Sequence, residues 1–187
     1  MTDPRPAPLA AALDGTGQLV AAVGTEQWQL PTPCPDWSVR QLVAHVVGGN
    51  RLAAGVLRGD PLDQLGRPGE DPLGDDPVGA FRASADELLA AAGGAGVPAG
   101  TFTLPAGTLP GPAVLHLRTV EALVHGWDVA RATGQRAPFP DELVEPELAF
   151  SRALLGRLPA DRQPFGPSRP VADDAPAIDR LAALLGR

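Results

Sequence analysis

The sequence has 187 residues, of which 44% are hydrophobic and 20% are charged. A chain of this length and composition can bury a sizeable core, which excludes global disorder. The formal net charge is -7, and all 15 basic residues are arginines spread along the chain, so there is no basic patch to bind a nucleic acid. We expect no signal peptide and no membrane span, because no apolar run approaches about 20 residues.

Apolar residues at helical spacing predict helices along most of the chain. A first helix is predicted from about Pro8 to Val23, with Gly15 and Gly17 weakening its middle. A second begins at Ser38, where Ser38 and Gln41 form a capping box, and it continues to about Arg58. Further helices are predicted over about 77–92, 112–133 and 140–157, followed by a short one over Ala177–Leu185.

Long segments rich in Gly and Pro separate these helices, at residues 59–77, 93–111 and in the tail up to Pro170. Residues 101–104 are compatible with a short extended piece, but we predict no sheet there. The pattern predicts an all-α fold, a four-helix bundle with long loops and a short extra C-terminal helix. We expect residues 1–187 to form a single domain.

Two of the three histidines and one glutamate form a candidate metal site. Glu121 and His125 lie four residues apart on one helix, so both side chains project from the same face. His45 lies in the middle of the second helix among apolar neighbours, where a neutral, metal-bound imidazole is favoured over a charged one. His116 is nine residues before His125, roughly on the opposite side of the helix, and is excluded as a ligand.

Simpler interpretations of these residues stay open at this point. A Glu–His pair at this spacing is often a solvated pair on a helix surface, and a lone histidine in an apolar segment is often a hydrogen-bonded core residue. Asp128 shares the face of Glu121 and His125, so it is either a fourth ligand or, by preference, a residue that orients a ligating histidine.

Residues near these candidates also have two interpretations each. Gly48 and Gly49 lie three and four residues after His45, where they either leave room for a substrate or allow two helices to pack closely. Cys34 has no basic neighbour in the sequence to lower its pKa, which favours a packed small hydrophobe over a nucleophile. As the single cysteine it also excludes an internal disulfide and agrees with a reducing cytoplasm, where we expect the protein. Trp37 is expected to be a core or lid residue.

Two segments of the sequence resemble a known family. They are Pro31-Thr-Pro-Cys-Pro-Asp-Trp-Ser-Val-Arg-Gln-Leu-Val-Ala-His-Val-Val-Gly-Gly49 and Glu121-Ala-Leu-Val-His-Gly-Trp-Asp-Val-Ala-Arg-Ala-Thr-Gly134. Together they are similar to the mycothiol-dependent maleylpyruvate isomerase-like metal-binding proteins of the DinB-like four-helix-bundle superfamily. The absence of lysine and the abundance of Ala, Arg, Gly and Pro are typical of a GC-rich genome, such as an actinobacterial one.

The resemblance implies a divalent metal held by His45, Glu121 and His125, with Zn²⁺ the first choice and Ni²⁺, Fe²⁺ or Mn²⁺ as alternatives. It also implies mycothiol as a cosubstrate, activated by the metal for a thiol transferase or isomerase reaction on a small electrophile. The isomerases carry a further C-terminal domain that this chain is too short to hold, so maleylpyruvate isomerisation itself is not expected.

Two other functional classes are considered beside this enzyme. One is a non-catalytic module that binds metal or sequesters a small ligand. The other is a purely structural helical protein in which His45, Glu121 and His125 never meet. The expected partners are a small thiol and an electrophile, with no nucleic acid and no membrane, and the protein is expected to be a monomer or a homodimer.

Overall fold

The computed structural model describes residues 6–65, 71–105, 107–157 and 165–187. Parts of the predicted loops, at residues 66–70, 106 and 158–164, lie outside the described residues, as do residues 1–5. Within the described residues there are six α-helices: α1 (Ala7–Ala21), α2 (Val39–Arg58), α3 (Pro77–Ala92), α4 (Gly111–Thr133), α5 (Asp141–Leu155) and α6 (Ala177–Leu184). The prediction of an all-α fold with a short extra C-terminal helix is confirmed.

The first four helices form the bundle. Helix α1 packs against α3 and α4, and α2 packs against the same two helices, so the four close around one core. Helices α5 and α6 pack against each other and against α4, outside that ring. Helix α4 is therefore covered on several sides, and Val114, Leu123 and Val129 are each fully buried. This explains why α4 is apolar around most of its circumference.

The start of α2 and the ends of α2 and α4 follow the local signals of the sequence. The Ser38 hydroxyl accepts a hydrogen bond from the Gln41 backbone N–H, and the Gln41 side chain accepts one from the Ser38 N–H, as the capping box predicts. Gly59 and Gly134 end α2 and α4 with φ values of 88° and 72°. These left-handed conformations favour glycine because a Cβ atom would be strained there.

Helix α1 packs closely against α4 and against Phe139, which follows α4 in the chain, and these contacts explain Gly15 and Gly126. A Cβ atom at Gly15 would lie 2.7 Å from the Phe139 ring, and one at Gly126 of α4 would lie 2.7 Å from both Phe139 and the Thr16 hydroxyl. The Thr16 hydroxyl donates to the Ala122 carbonyl across this contact, at 2.8 Å. Of the two glycines predicted to weaken α1, Gly15 allows this close packing. The helix continues through both glycines.

One prediction about secondary structure is wrong. Residues Thr101–Leu104 (β1) do form a sheet, because they pair antiparallel with Gly107–Pro110 (β2). Gly107 has a φ of 131°, a conformation that glycine supplies at the tight connection between the strands. Short 3₁₀ turns at Thr25–Gln29 and Leu62–Gln64 were also not predicted. The longer described helices were predicted with ends within two residues of those observed.

Among the described residues, no helix is both long enough and apolar enough to cross a membrane.

Candidate metal centre

Helices α2 and α4 bring the three candidate ligands together. Glu121 Oε2 lies 3.3 Å from His45 Nε2 and 3.2 Å from His125 Nε2. The side chain of His125 is 4% exposed, Glu121 is 23% exposed and His45 is 42% exposed. The cluster therefore has a buried end at His125 and an end open to solvent at His45. The three candidate ligands predicted from the sequence are therefore in contact. In a purely structural helical protein, the alternative considered above, they would never meet.

The donor atoms of this cluster fit a divalent metal ion. One ligand atom from each of the three residues lies within 4.8 Å of the others. Zinc bonds of about 2.0–2.1 Å in a tetrahedral arrangement would separate neighbouring ligand atoms by roughly 3.3–3.4 Å. The two distances from Glu121 Oε2 match that separation closely. Two imidazoles and one carboxylate, with a solvent-facing side, form a donor set typical of catalytic zinc sites.

The other nitrogen of His125 is held by a buried carboxylate. Asp128, which is fully buried, lies with Oδ2 3.1 Å from His125 Nδ1. When this carboxylate accepts a hydrogen bond from Nδ1–H, the Nε2 lone pair of His125 faces Glu121 and is available to a metal. Asp128 thus occupies the position expected of a residue that orients a ligating histidine.

Asp128 is fixed in turn by two groups that are distant in the sequence. Arg187 Nε donates to both Asp128 carboxylate oxygens, at 3.2 and 3.1 Å, and Arg187 Nη1 donates to the Leu185 carbonyl. The Cys34 thiol donates to Asp128 Oδ2 at 3.7 Å. Neither contact was predicted. Cys34 is buried, as expected, but it is a hydrogen-bond donor to Asp128 and not only a small packed side chain.

Cys34, His125 and Asp128 form a second group with metal-ligand geometry, also within 4.8 Å. Its carboxylate oxygens already accept from Arg187 and from the Cys34 thiol. A metal there would have to displace the partly buried Arg187 from the fully buried Asp128, which is costly. The group containing His45 and Glu121 is therefore the better candidate for a metal.

The charges of the metal-free site are strongly coupled. Burial disfavours a charged His125, but hydrogen bonds to Asp128, Cys34 and Glu121 outweigh it and raise the pKa of His125 to about 10. Burial raises the pKa of Glu121, yet its hydrogen bonds to His125 and His45 outweigh that effect and hold the pKa well below its usual range. In the metal-free protein, an imidazolium at His125 is thus stabilised between two carboxylates.

This charge state predicts that metal binding releases a proton from His125. A metal needs the neutral imidazole, and His125 keeps its proton up to a pH of about 10. The metal association constant should therefore rise about tenfold per pH unit from pH 7 to 9, whereas a histidine with an ordinary pKa near 6.5 would give a flat profile. Chelator-competition titrations across this pH range measure the slope. A flat profile above pH 7 would show that His125 is already neutral in the metal-free protein and would contradict its raised pKa.

Trp37 and two glycines surround the exposed part of the site. The Trp37 ring lies 4.5 Å from the His45 ring and 6.0 Å from the His125 ring, measured between centroids. Trp37 is therefore a partly buried cover on one side of the cluster, in agreement with the lid prediction. Gly48 is exposed, and a Cβ atom there would meet no other atom within 4 Å, whereas a Cβ at Gly49 would lie 2.7 Å from Arg118 Nη1.

The third histidine lies elsewhere. His116 Nδ1 is 2.9 Å from Glu147 Oε2 of α5, and its ring stacks on Phe150 with centroids 4.7 Å apart. Glu147 is 2% exposed, and burial raises its pKa. In the described part of the chain, His116 belongs to no group that could hold a metal ion. This position agrees with the prediction from helical phase that His116 is not a metal ligand.

Sequence reasoning missed Arg118, Arg187 and the role of Cys34. Arg118 carried a detectable signal, because it lies three residues before Glu121 and seven before His125, on the same helical face. Arg187 carried none, since it contacts a residue 59 positions away.

Comparison with known proteins identifies the family of this chain. The family described as the mycothiol maleylpyruvate isomerase N-terminal domain matches residues 9–130, which include all three candidate ligands and Asp128. Two uncharacterised proteins of Mycobacterium tuberculosis, from strains CDC 1551 / Oshkosh and ATCC 25618 / H37Rv, are each 39% identical to this chain over 180 residues. The aligned part covers 94% of this chain and 93% of each relative. No solved structure gives a significant match. The chain therefore belongs to the mycothiol maleylpyruvate isomerase N-terminal domain family, and its fold is the DinB-like four-helix bundle.

Proposed function

We propose that this protein binds one divalent metal ion, with zinc the first choice, and uses it to activate a small thiol for reaction with an electrophile. The observation that carries the proposal is the convergence of His45 Nε2 and His125 Nε2 on Glu121 Oε2, at 3.3 and 3.2 Å. A bound divalent ion would lower the pKa of a thiol that reaches it, so that the reactive thiolate is available near neutral pH.

The chain's own residues have separate parts in this proposal. His45, Glu121 and His125 would hold the ion, and Asp128 keeps His125 Nδ1 protonated so that Nε2 is the ligating atom. Arg187 neutralises Asp128 and fixes its carboxylate plane through two hydrogen bonds. The half-exposed side of His45 leaves access from solvent, with Trp37 covering a neighbouring side.

Family membership supports mycothiol as the thiol. The reaction would be the transfer of that thiol to a small electrophile, or an isomerisation that begins with its addition. The second candidate is a non-catalytic module that binds metal or sequesters a small ligand with the same residues. It is supported by the same geometry, since the ligands identify a metal site without specifying turnover.

A thiol-transfer assay distinguishes the two candidates. Metal-loaded protein is incubated with mycothiol and a panel of small electrophiles, and thiol consumption is compared with that of metal-free protein. We expect the loaded protein to accelerate at least one reaction by about tenfold or more, because an anionic thiolate is far more nucleophilic than the thiol. If stoichiometric metal is bound but every electrophile reacts at the background rate, the binding module is the correct function.

A further inference from the structure

A buried cation without an internal anion lies next to the candidate metal centre. Arg118 of α4 is 8% exposed and precedes Glu121 by three residues. Its Nη2 donates to Asn50 Oδ1 at 2.7 Å, and its Nε is buried with no hydrogen-bond partner among the described residues. In that part of the chain, no carboxylate oxygen lies within ion-pair distance of Arg118, although Glu121 acts on it electrostatically.

This arrangement is unfavourable in the protein alone. Burial lowers the pKa of Arg118, and the charge of Glu121 offsets the effect only in part. The partner Asn50 is a neutral amide, fully buried, that also donates to the Ser84 hydroxyl at 3.2 Å. A buried guanidinium with an unused donor and a neutral partner is stabilised strongly by an added anion, because buried charges require a counter-charge.

The facing wall of α2 lets the Arg118 guanidinium lie against its backbone. Gly48 and Gly49 follow His45 by three and four residues, on the next turn of the same helical face. A Cβ atom at Gly49 would lie only 2.7 Å from Arg118 Nη1, and Gly48 opens to free space. The guanidinium therefore lies directly against α2 at Gly49, and Gly48 places no side chain on the exposed part of the same helix.

The balance of charges points to the same conclusion. Glu121 and Asp128 contribute two negative charges, which Arg118 and Arg187 cancel. A divalent ion on the neutral histidines would leave the site with two uncompensated positive charges. One thiolate would neutralise one of them, and a second anionic group would neutralise the other.

We propose that Arg118, with the backbone of Gly48 and Gly49, forms a subsite for a carboxylate of the substrate. The inference rests on the proposed thiol activation, and it identifies the ligand class as a small molecule bearing a carboxylate. The Cβ atoms of residues three apart on a helix are about 5–6 Å apart, so Arg118 and Glu121 are neighbours on α4.

Two thiols of equal length test this subsite. Cobalt-loaded protein is titrated with mercaptopropionate and with the uncharged mercaptopropanol, and binding is followed through the thiolate-to-cobalt charge-transfer absorption. Wild type should bind mercaptopropionate about 10- to 100-fold more tightly, the range expected for a charge-assisted hydrogen bond. Arg118→Gln should bind both thiols equally. Arg131→Gln is the matched control, since Arg131 lies on the same helix, 58% exposed and paired with Asp179, and should keep the preference.

A second variant keeps the test decisive if Arg118→Gln does not fold. Asn50→Asp places a carboxylate against Arg118 Nη2, so it should supply the missing counter-charge internally and abolish the preference for mercaptopropionate. If wild type bound both thiols equally, or if Asn50→Asp still preferred mercaptopropionate, the carboxylate subsite would be wrong. The proposed thiol activation would not be affected by either result. If neither thiol produced a charge-transfer band, both the proposed thiol activation and the carboxylate subsite would be wrong.

Discussion

A His125→Ala variant is expected to lose the metal that the wild-type protein binds. His125 is the most buried of the three ligands, and its Nε2 lies 3.2 Å from Glu121 Oε2, so no other side chain can take its place without rearrangement. Loss of a ligand should weaken binding by at least about 1,000-fold, more than the 10- to 100-fold effect of an outer partner. Wild type purified without a nickel column should contain about one equivalent of metal by elemental analysis, and the variant should contain almost none.

His116→Gln is the matched control for this experiment. His116 lies on the same helix, but it contacts Glu147 and Phe150 away from the cluster. Glutamine can still donate a hydrogen bond to the buried Glu147, so the fold should be kept. This variant should retain the full equivalent of metal. Retention of metal by folded His125→Ala protein would overturn the assignment of His45, Glu121 and His125.

Asp128→Ala is expected to destabilise the fold and weaken the metal site together. The substitution removes a fully buried carboxylate that holds His125 Nδ1 at 3.1 Å and pairs with Arg187. Breaking one partner of a buried ion pair costs about 3–5 kcal/mol, which corresponds to a fall of roughly 10 °C in the unfolding temperature of a chain of this size. Metal affinity should fall roughly 10- to 100-fold. Thermal unfolding and chelator competition measure the two effects.

Variants that also change Arg187 distinguish the loss of fold stability from the loss of metal affinity. Asp128→Asn leaves the guanidinium without a counter-charge, while the double variant Asp128→Asn with Arg187→Gln removes that charge too. The double variant should therefore unfold at a higher temperature than Asp128→Asn alone, yet bind metal no better than it. An Asp128→Ala protein with the unfolding temperature and metal affinity of wild type would show that Asp128 neither orients His125 nor stabilises the fold.

The centre of the site could be predicted because its signals are local. Glu121 and His125 share a helical face by spacing alone, and the phase of the same helix excluded His116. Asp128 follows His125 at the spacing of one turn, which predicted its contact. His45 was a candidate because of its apolar neighbours in α2, and the family resemblance was needed to favour its pairing with Glu121 and His125, since nothing local indicates which helix packs against α4. The capping box at Ser38 likewise fixed the start of α2 correctly.

The missed features depend on contacts between distant segments. Arg187 reaches Asp128 across 59 residues, and Cys34 reaches it across 94 residues, so neither leaves a periodic pattern. The hairpin of β1 and β2 was missed for a different reason. Its strands have only four residues each, too few for an alternating pattern to be distinguished from a loop. Five long helices were predicted, but their spacing alone does not tell which four surround the core.

The position of Arg187 has a practical consequence for handling the protein. Its guanidinium lies against Asp128, which itself contacts His125, so any segment attached after Arg187 begins about one arginine side chain away from the ligands. A polyhistidine tag placed there would bring competing imidazoles close to Asp128 and His125 and would raise the apparent metal content. A tag placed before the first residue and cleaved after purification avoids this artefact, so that metal stoichiometry and affinity reflect the natural ligands.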